Sequence, residues 1–407
     1  MADIAADPDI TTPAKAPGFA ATLLGSQGVQ YFAARLGARL AALSGKPFRL
    51  GRRVVAARHD HVRELLARDL DFTIAPVNEA KVDEVNGGPF VLGMDRSARL
   101  ERERRALYAA LHSVDLDQIR AAVAADILMR LDSVAPGGTL NVVNGYARPI
   151  AARTAQRLFG LTSVDLPPFM AAVRSVFAHT FLNIGNDAAI RDRAVRAGRL
   201  MQSWLAAEIA ARRAGGRDAP DMMGALMRQG IVDDDGVRRT LGGMLVGSID
   251  TTATAVAKTL AVAGRDPELR AAMVRDRDDL DKLNDWSNEA LRRWPHNPIL
   301  LRHAAVDTLL AGRAVKAGDA VIAWTHAAMQ DPQAFPDPRD LRAGRSGAAY
   351  LHLGTGLHPC AGRPVNRLQI PLLLQGLLRR GVGKIGKIGW AGPFPDRLMV
   401  TFAKEPR

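Results

Sequence analysis

The chain has 407 residues and a net charge of +13, with 47% hydrophobic and 24% charged residues. This balance is that of a folded globular protein and excludes a largely disordered one. Aromatic residues make up only 5% and the arginines are spread along the chain, so the positive charge does not form the basic, aromatic-rich surface that nucleic-acid-binding proteins use.

The sequence supports neither a secretory signal nor a membrane span. Residues 1–20 have neither the basic region nor the apolar run of a secretory signal, and predict a flexible N-terminal segment of a single domain spanning 1–407. The most apolar long run, Leu241 to Gly264, is interrupted by Asp250 and Lys258, which argues against a membrane anchor. We therefore expect a cytoplasmic protein.

Most of the chain predicts amphipathic helices, because Ala, Leu and Val recur at three- and four-residue spacing. Three examples are Val62 to Leu70, Gln118 to Leu131 and Glu268 to Leu283. Short strands are expected at Arg52 to Ala57, at Thr308 to Trp324 with a turn at 316–319, and at Ile385 to Phe402. The sequence therefore predicts a mainly α protein with a small β region.

A polar stretch, Gly247-Ser-Ile-Asp-Thr-Thr252, lies in the long apolar run and is expected inside one long helix. Hydroxyl groups in mid-helix bond back to carbonyls and bend the helix, which opens room over a flat ligand. A buried pair of Asp250 and Thr251 also offers a proton route, in which the carboxylate brings protons in and the hydroxyl orients a bound water or peroxide.

Two arginines follow at informative positions. Arg292 lies one helical turn after Glu289, so the two side chains share a face and can form an ion pair. Trp294 and Pro295 then end this helix. Arg302 follows in the stretch Pro298-Ile-Leu-Leu-Arg302, for which a solvent-facing strand arginine is one interpretation.

The only cysteine, Cys360, lies in the loop GTGLHPCAG. The glycines allow close backbone approach to something flat, and the sequence after Gly362 predicts a helix whose N-terminus stabilises a thiolate. Of the alternatives, a buried apolar Cys does not need flanking glycines, and His358 is poorly placed to act as the base of a catalytic thiol. A dinucleotide loop lacks its third glycine. An axial thiolate to haem iron remains, because the porphyrin supplies the other four ligands.

The loop resembles the haem-binding signature of the cytochrome P-450 family, Phe-Gly-x-Gly-x-His-x-Cys-x-Gly. The matching residues are Gly354, Gly356, His358, Cys360 and Gly362, with Leu353 in the Phe position. The family's Ala/Gly-Gly-x-Asp/Glu-Thr motif is matched by Gly247, Asp250 and Thr251, with Ser248 replacing the second Gly. Its buried Glu-x-x-Arg pair is matched by Glu289 and Arg292. The matches occur in the family's order between Gly243 and Arg367.

The resemblance implies a cytochrome P-450 fold and a haem-thiolate monooxygenase that inserts one atom of O2 into a small lipophilic substrate. It implies haem b, iron protoporphyrin IX, with the iron bound by Cys360 and a propionate bound by Arg302. His358, Gly354, Gly356 and Gly247 are expected beside the haem. Asp250 and Thr251 are expected to deliver protons, and Glu289 and Arg292 to hold the fold beneath the haem.

The resemblance also implies a substrate pocket and a second propionate contact. The pocket residues it indicates are Phe90, Val91, Phe177, Phe181, Ile299 and Leu300. The family often has a His and an Arg on an early helix that meet the propionates, but the segment from Gly93 to Arg105 has no His. The candidates to substitute there are Arg99, Arg104 and Arg105.

Electrons are expected from a separate ferredoxin or flavodoxin with its NAD(P)H-dependent reductase, because nothing in the chain resembles a flavin or iron–sulfur domain. The basic residues near the Cys loop are candidates for the docking face: Arg363, Arg367, Arg379 and Arg380. A solvated helix end is the alternative for them. Two other functions stay open, a hydrogen-peroxide-dependent peroxygenase and a non-catalytic haem-binding sensor.

Overall fold

The computed structural model describes residues 26–183, 185–216, 218–391 and 394–404, so the predicted flexible segment 1–20 lies outside the described residues. Helices dominate, as predicted. They are α1 (Gln27–Ser44), α2 (His59–Ala67), α3 (Ala75–Asn86), α4 (Ala98–His112), α5 (Leu116–Asp132), α6 (Arg148–Phe159), α7 (Leu166–Phe177), α8 (Ala188–Gly215), α9 (Met222–Gln229), α10 (Asp234–Val246), α11 (Asp250–Ala263), α12 (Pro267–Arg275), α13 (Leu280–Arg293), α14 (Thr325–Ala328) and α15 (Arg363–Arg379). Short π-helical turns lie at Val143–Ala147 and Ala178–Leu182, and a 3-10 turn at Gly347–Ala349.

The strands form small sheets at the edges of the helical body. They are β1 (Phe48–Leu50), β2 (Arg53–Ala56), β3 (Phe72–Thr73), β4 (Thr139–Asn141), β5 (Leu300–Ala304), β6 (Thr308–Leu310), β7 (Arg313–Val315), β8 (Ala320–Ala323), β9 (Val382–Ile385), β10 (Gly389–Ala391), β11 (Phe394–Arg397) and β12 (Met399–Phe402). The largest sheet has the order β1-β2-β8-β5-β3, in which only β2 and β8 run parallel. A three-stranded sheet has the order β4-β12-β9, and β6-β7 and β10-β11 are two-stranded antiparallel sheets.

The helix predictions differ from the structure mainly at boundaries. Gln118 to Leu131 lies within α5, whose N-cap Asp115 accepts a hydrogen bond from the backbone N–H of Gln118 at 3.0 Å. The helix expected from Val62 to Leu70 begins earlier and ends at Ala67, because the chain turns into β3. The single helix expected from Glu268 to Leu283 is wrong: Asp279 caps a new helix through Lys282 N–H, so α12 and α13 are separate.

The strands expected from Thr308 to Trp324 are three, β6, β7 and β8. The turn expected at 316–319 is present, with the Asp319 N–H donating to the Lys316 carbonyl at 3.0 Å, but it connects β7 to β8 of the large sheet and does not close a hairpin. The hairpin turn lies at Ala311 and Gly312, both with positive φ. A pattern of alternating residues does not show which sheet a strand joins, and this accounts for the error.

Three large apolar clusters and one small one form the core of the described residues, and the expected site lies where two of the large ones meet. One cluster contains Val246 and Val365 and is built largely from α4 and α6 to α10. A second contains Ala253 and Leu368 and is built from α5, α11, α13 and α15 with strands β4 and β12. The polar segment after α10 and the first turns of α15 therefore both bridge the two clusters. The third cluster packs α2 against the large sheet.

Candidate active site

The loop around Cys360 is held by its own backbone immediately before α15. The N–H of Cys360 donates to the Leu353 carbonyl at 2.8 Å, and Gly354 and Gly356 have φ of +67° and +77°. A Cβ on Gly356 would lie 1.9 Å from the Leu66 carbonyl oxygen, so α2 packs too closely for any other residue. These two glycines are therefore required by the loop's conformation and by its packing.

The thiol of Cys360 lies at the start of α15, as the sequence predicts. Burial raises the pKa of this thiol, while the backbone N–H groups of Gly362 and Arg363 and the charge of Arg363 oppose that rise. The same N–H groups are oriented to stabilise a thiolate. Gly362 itself has an ordinary backbone conformation, and a Cβ there would meet only the sulfur at 3.7 Å and Asn366 at 3.8 Å.

A cluster of cationic and imidazole side chains lies beside the loop. Arg302, on β5, is 7% exposed and donates only to the adjacent Leu301 carbonyl among the described residues. Burial lowers its pKa to about 10, and no described carboxylate forms an ion pair with it. Burial and the nearby charges of Arg302 and Arg104 lower the pKa of His358 to about 4, and its Nδ1 is buried without a hydrogen-bond partner.

The structure distinguishes the three arginine candidates on α4. Arg104 donates to the Leu357 carbonyl and lies 5.1 Å from the Tyr108 ring centre, so it reaches the Cys loop beside His358. Arg99 instead forms an ion pair with Glu103 at 2.9 Å, and Arg105 is exposed. Arg104 is thus the α4 side chain that lies with Arg302 and His358 beside the Cys loop.

Glu289 and Arg292 form a complete buried network. Both are 0% exposed, and Arg292 donates to both Glu289 oxygens at 2.8 and 2.9 Å. Tyr350 Oη donates to the same carboxylate at 2.8 Å, and the Arg342 backbone N–H at 3.0 Å. The remaining Arg292 protons bind carbonyls of the segment before the Cys loop, including Pro338 and Asp340. This pair therefore joins α13 to that segment.

The expectation of one continuous helix through Gly247 to Thr252 is wrong. α10 ends at Val246 and α11 begins at Asp250. The hydroxyl of Ser248 donates to the Leu245 carbonyl at 2.7 Å, and that of Thr251 donates to the Gly247 carbonyl. Side-chain hydrogen bonds of this kind compete with the helical ladder, so the predicted bend is a full break. Nothing lies within 4 Å of the Cβ position of Gly247.

Asp250 is held by two arginines that the sequence analysis did not identify. It is 2% exposed and binds Arg148 at 2.8 Å and Arg174 at 3.1 Å. Arg148 is itself buried and also donates to the Pro395 carbonyl at 2.9 Å, which ties α11 to strand β11. These arginines lie 102 and 76 positions from Asp250 on α6 and α7, and no local pattern relates such distant positions.

The expected pocket residues divide into two groups. Phe90, Val91 and Phe177 lie in one apolar cluster, where Phe90 packs on Gly243 of α10. Phe181 contacts Phe177 with ring centres 5.0 Å apart and ring planes tilted by 33°, but it is 45% exposed. Ile299 and Leu300 lie elsewhere, before and in β5: Ile299 is 39% exposed, and Leu300 packs against the large-sheet cluster.

The expected docking arginines lie at both ends of α15. Arg363 begins the helix next to the Cys loop, whereas Arg379 ends it some 24 Å away. The expectation that all four lie near the loop is therefore wrong for Arg379 and Arg380. Arg367 forms an ion pair with Asp281 and Arg379 one with Asp278, which reduces their net charge.

The haem that the resemblance implies fits these residues. A thiol in a helix-start loop offers one soft ligand, and the buried guanidinium of Arg302 and the unsatisfied Nδ1 of His358 lack the anionic partner that propionates supply. The model of the family described as Cytochrome P450 matches residues 49–380. The chain belongs to the cytochrome P450 family. Within this family it is a monooxygenase, and its prosthetic group is haem.

Individual relatives agree with the family match. The chain is 28% identical to cytochrome P450 monooxygenase PikC of Streptomyces venezuelae over 79% of this chain and 76% of that protein. It is 25% identical to mycinamicin IV hydroxylase/epoxidase of Micromonospora griseorubida over 73% and 72%. The crystal structure of CalO2 superposes with a TM-score of 0.79 at 21% identity, covering 94% of this chain and 98% of that one, and shares the fold. Among the described helices, none is long and apolar enough to cross a bilayer.

Proposed function

We propose that this P450 oxygenates a small lipophilic compound with O2 and electrons from a separate ferredoxin or flavodoxin in the cytoplasm. The observation that carries the proposal is a single constellation. A helix-start thiol at Cys360 and an acid–alcohol pair at Asp250 and Thr251 lie at the boundary between two core clusters, and the buried guanidinium of Arg302 lies near His358 of the same Cys loop. The bound haem would supply the oxygen activation.

Three side chains from separate parts of the chain would hold the haem propionates. Arg302 and Arg104 would donate to the carboxylates, and His358 would use its unsatisfied Nδ1. Cys360 would bind the iron, with the N–H groups of Gly362 and Arg363 directed at its sulfur. Gly354 and Gly356 would let this loop approach the porphyrin closely.

Asp250 and Thr251 would manage the protons of the reaction. Arg148 and Arg174 each bind one oxygen of Asp250, and Arg174 is the more exposed partner with 27% of its side chain accessible. If water replaced Arg174 as a partner of Asp250, the carboxylate would be connected to solvent. The Thr251 hydroxyl donates its proton to the Gly247 carbonyl, so its oxygen can accept a hydrogen bond from a bound water.

A lipophilic substrate is supported by the apolar character of the expected pocket. Phe90, Val91 and Phe177 bring no polar group to it, and Phe181 extends this aromatic surface towards solvent. The names of two relatives support an organic substrate: one is a mycinamicin IV hydroxylase/epoxidase and another a cyclooctat-9-en-7-ol 5-monooxygenase. Ile299 and Leu300 would contribute from the strand side.

The electron donor would approach near the start of α15. Arg363 is exposed and lies three residues after Cys360, so an acidic ferredoxin or flavodoxin bound there would be close to the thiolate side of the haem. Arg367 would contribute when its ion pair with Asp281 opens. Arg379 and Arg380 are too distant to take part.

The first test is the absorption spectrum of the reduced protein with carbon monoxide. A strongly red-shifted Soret band in the wild type that is lost in Cys360→Ala establishes thiolate ligation. A histidine-type band in the wild type contradicts it. This measurement needs no substrate and therefore precedes all others.

The second test separates the monooxygenase from its alternatives. With a substrate found by spin-state shift, Thr251→Ala is expected to keep the haem spectrum but to divert reducing equivalents from product to hydrogen peroxide. Thr252→Ala is the matched control, because its hydroxyl bonds Ser248 instead. Unchanged coupling in Thr251→Ala contradicts the proton route. Turnover with peroxide alone would indicate a peroxygenase, and absence of both product and peroxide a sensor.

A further inference from the structure

Helix α1 exposes its large apolar side chains and buries its small ones. Phe32, Leu36, Leu40 and Leu43 are 70%, 45%, 48% and 85% exposed. Their spacing of four, four and three residues places them in one stripe along the helix. A helix of a globular protein ordinarily directs such residues to the core, so this face calls for a partner of its own.

The inward face explains why α1 cannot rotate to bury the stripe. Gly37 faces Trp324, and a Cβ at this position would lie 2.4 Å from the indole ring. Ala34 and Ala41 pack in a small cluster with Ala57 and Ala327. Only small residues allow this close approach to α14, so the stripe is fixed on the outside by the packing beneath it.

The surface around the stripe is basic. Residues 26–59 contain no Asp or Glu and seven cations: Arg35, Arg39, Lys46, Arg49, Arg52, Arg53 and Arg58. Arg35 and Arg39 lie on α1 on one flank of the stripe, and Lys46 follows its C-terminus. Two acids from outside the segment neutralise part of this charge, since Arg49 and Arg52 share Asp319 and Arg58 pairs with Asp60. The charge that remains is positive.

Leu50 is a further exposed apolar side chain a few residues after α1. It lies at the end of β1, directly before the turn to β2, and is 68% exposed. Arg49 and Arg52 lie on either side of it in sequence. Apolar side chains with cations beside them therefore recur on two successive elements.

We propose that α1 and the β1–β2 turn form a docking surface for an anionic lipid bilayer. Phenylalanine and leucine side chains enter the boundary between headgroups and acyl chains, and neighbouring cations bind anionic headgroups. Nucleic acid would use the cations but not the stripe, and a second copy of this chain would place like charges together. The inference does not depend on the proposed function, but it gives a lipophilic substrate a route from the membrane.

The test is flotation of the full-length holoenzyme with vesicles of phosphatidylcholine alone or with about a quarter phosphatidylglycerol. Binding is expected only to the anionic vesicles and weakens with added salt. Leu36→Gln with Leu43→Gln preserves the charge and is expected to weaken binding about tenfold or more. The matched control is Leu128→Gln with Met129→Gln on α5, two residues of similar exposure that should leave binding unchanged.

A second variant tests the electrostatic half of the inference. Arg39→Gln with Lys46→Gln is expected to weaken binding to the anionic vesicles and to reduce its salt dependence. All variants must keep the wild-type carbon monoxide spectrum, so that loss of binding is not loss of fold.

Four results would overturn the proposal. The first is no vesicle binding by the wild type, and the second is equal binding by the wild type and the Leu36/Leu43 variant. The third is a concentration-dependent dimer that this variant abolishes, which identifies a second copy as the partner. The fourth is a fall of several degrees in the unfolding temperature of this variant without lipid, which shows that protein already covers the stripe.

Discussion

Two buried arginines ten positions apart have opposite surroundings. Arg292 is enclosed with Glu289, and its donors bind a carboxylate and backbone carbonyls of the same chain. Arg302 is nearly as buried, but within the described part of the chain its one hydrogen-bond partner is the neighbouring Leu301 carbonyl. Desolvation penalises a charge in both places, and in the first the protein offsets it with a hydrogen-bonded ion pair, whereas in the second only the more distant charge of Asp95 opposes it. A buried cation with a partner belongs to the fold, and one without a partner indicates a ligand.

Lys258 is another buried cation, and the cost of burying its charge is met in a third way. It lies on α11, donates to the Pro295 carbonyl at 2.7 Å and contacts the Trp294 ring at 4.9 Å. Burial lowers its pKa from 10.5 to about 7, so it sheds its charge near neutral pH. An arginine cannot do this because its guanidinium stays protonated.

The largest expected effect is that of Glu289→Gln. The substitution keeps the volume but leaves Arg292 charged in a site without solvent, which costs about 3–5 kcal/mol. Denaturant unfolding and the yield of folded protein measure it. A loss below 1 kcal/mol would show that the network with Tyr350 and the Arg342 N–H tolerates the uncompensated charge.

Lys258→Met should stabilise the protein by about 2 kcal/mol at pH 7, because burial then no longer opposes a charge. The folded protein binds fewer protons at this position than the unfolded chain between pH 7 and about 10. Wild-type stability should therefore rise with pH across this window, and the advantage of the variant should shrink. Unfolding free energies of both proteins at pH 7 and 9.5 test this, and a constant difference would contradict it.

Arg302→Met should act on the haem and not on the fold. The apoprotein is expected to be as stable as the wild type, because the variant removes a buried charge that has no partner. Loss of a charge-assisted hydrogen bond should speed haem loss about tenfold. Haem transfer to apomyoglobin measures this rate, and Arg302→Lys, which keeps the charge, should be intermediate. Haem loss at the wild-type rate would assign Arg302 to the fold.

The smallest effect is expected at the surface. Asp278→Asn removes the ion pair with Arg379, in which both side chains are more than half exposed. Water and salt screen such a pair, so no change in the unfolding temperature should be measurable. A clear loss of stability would show that this exposed ion pair stabilises the fold as the buried pair of Glu289 and Arg292 does.

Local patterns in the sequence were sufficient to predict the mainly helical fold class, the interior of α5 and the family. They were insufficient where side chains compete with the backbone. The break before Asp250 depends on hydroxyl groups that bond the preceding turn, and Asp279 ends one helix pattern by capping the next. The propionate candidates on α4 could be narrowed to Arg104 only after the structure showed Arg99 paired with Glu103.

The sequence by itself determined the residues whose chemistry is local: the thiol of Cys360 before a helix, the two glycines that precede it in the loop, and the i,i+3 pairing of Glu289 with Arg292. Tertiary structure alone decided which charges are compensated, because Arg148 and Arg174 reach Asp250 from other helices, while no carboxylate of the described residues forms an ion pair with Arg302. It also decided that α1 turns its leucines outward, since this depends on the contact between Gly37 and Trp324. Burial and long-range pairing arise from the whole fold, and no window of sequence contains them.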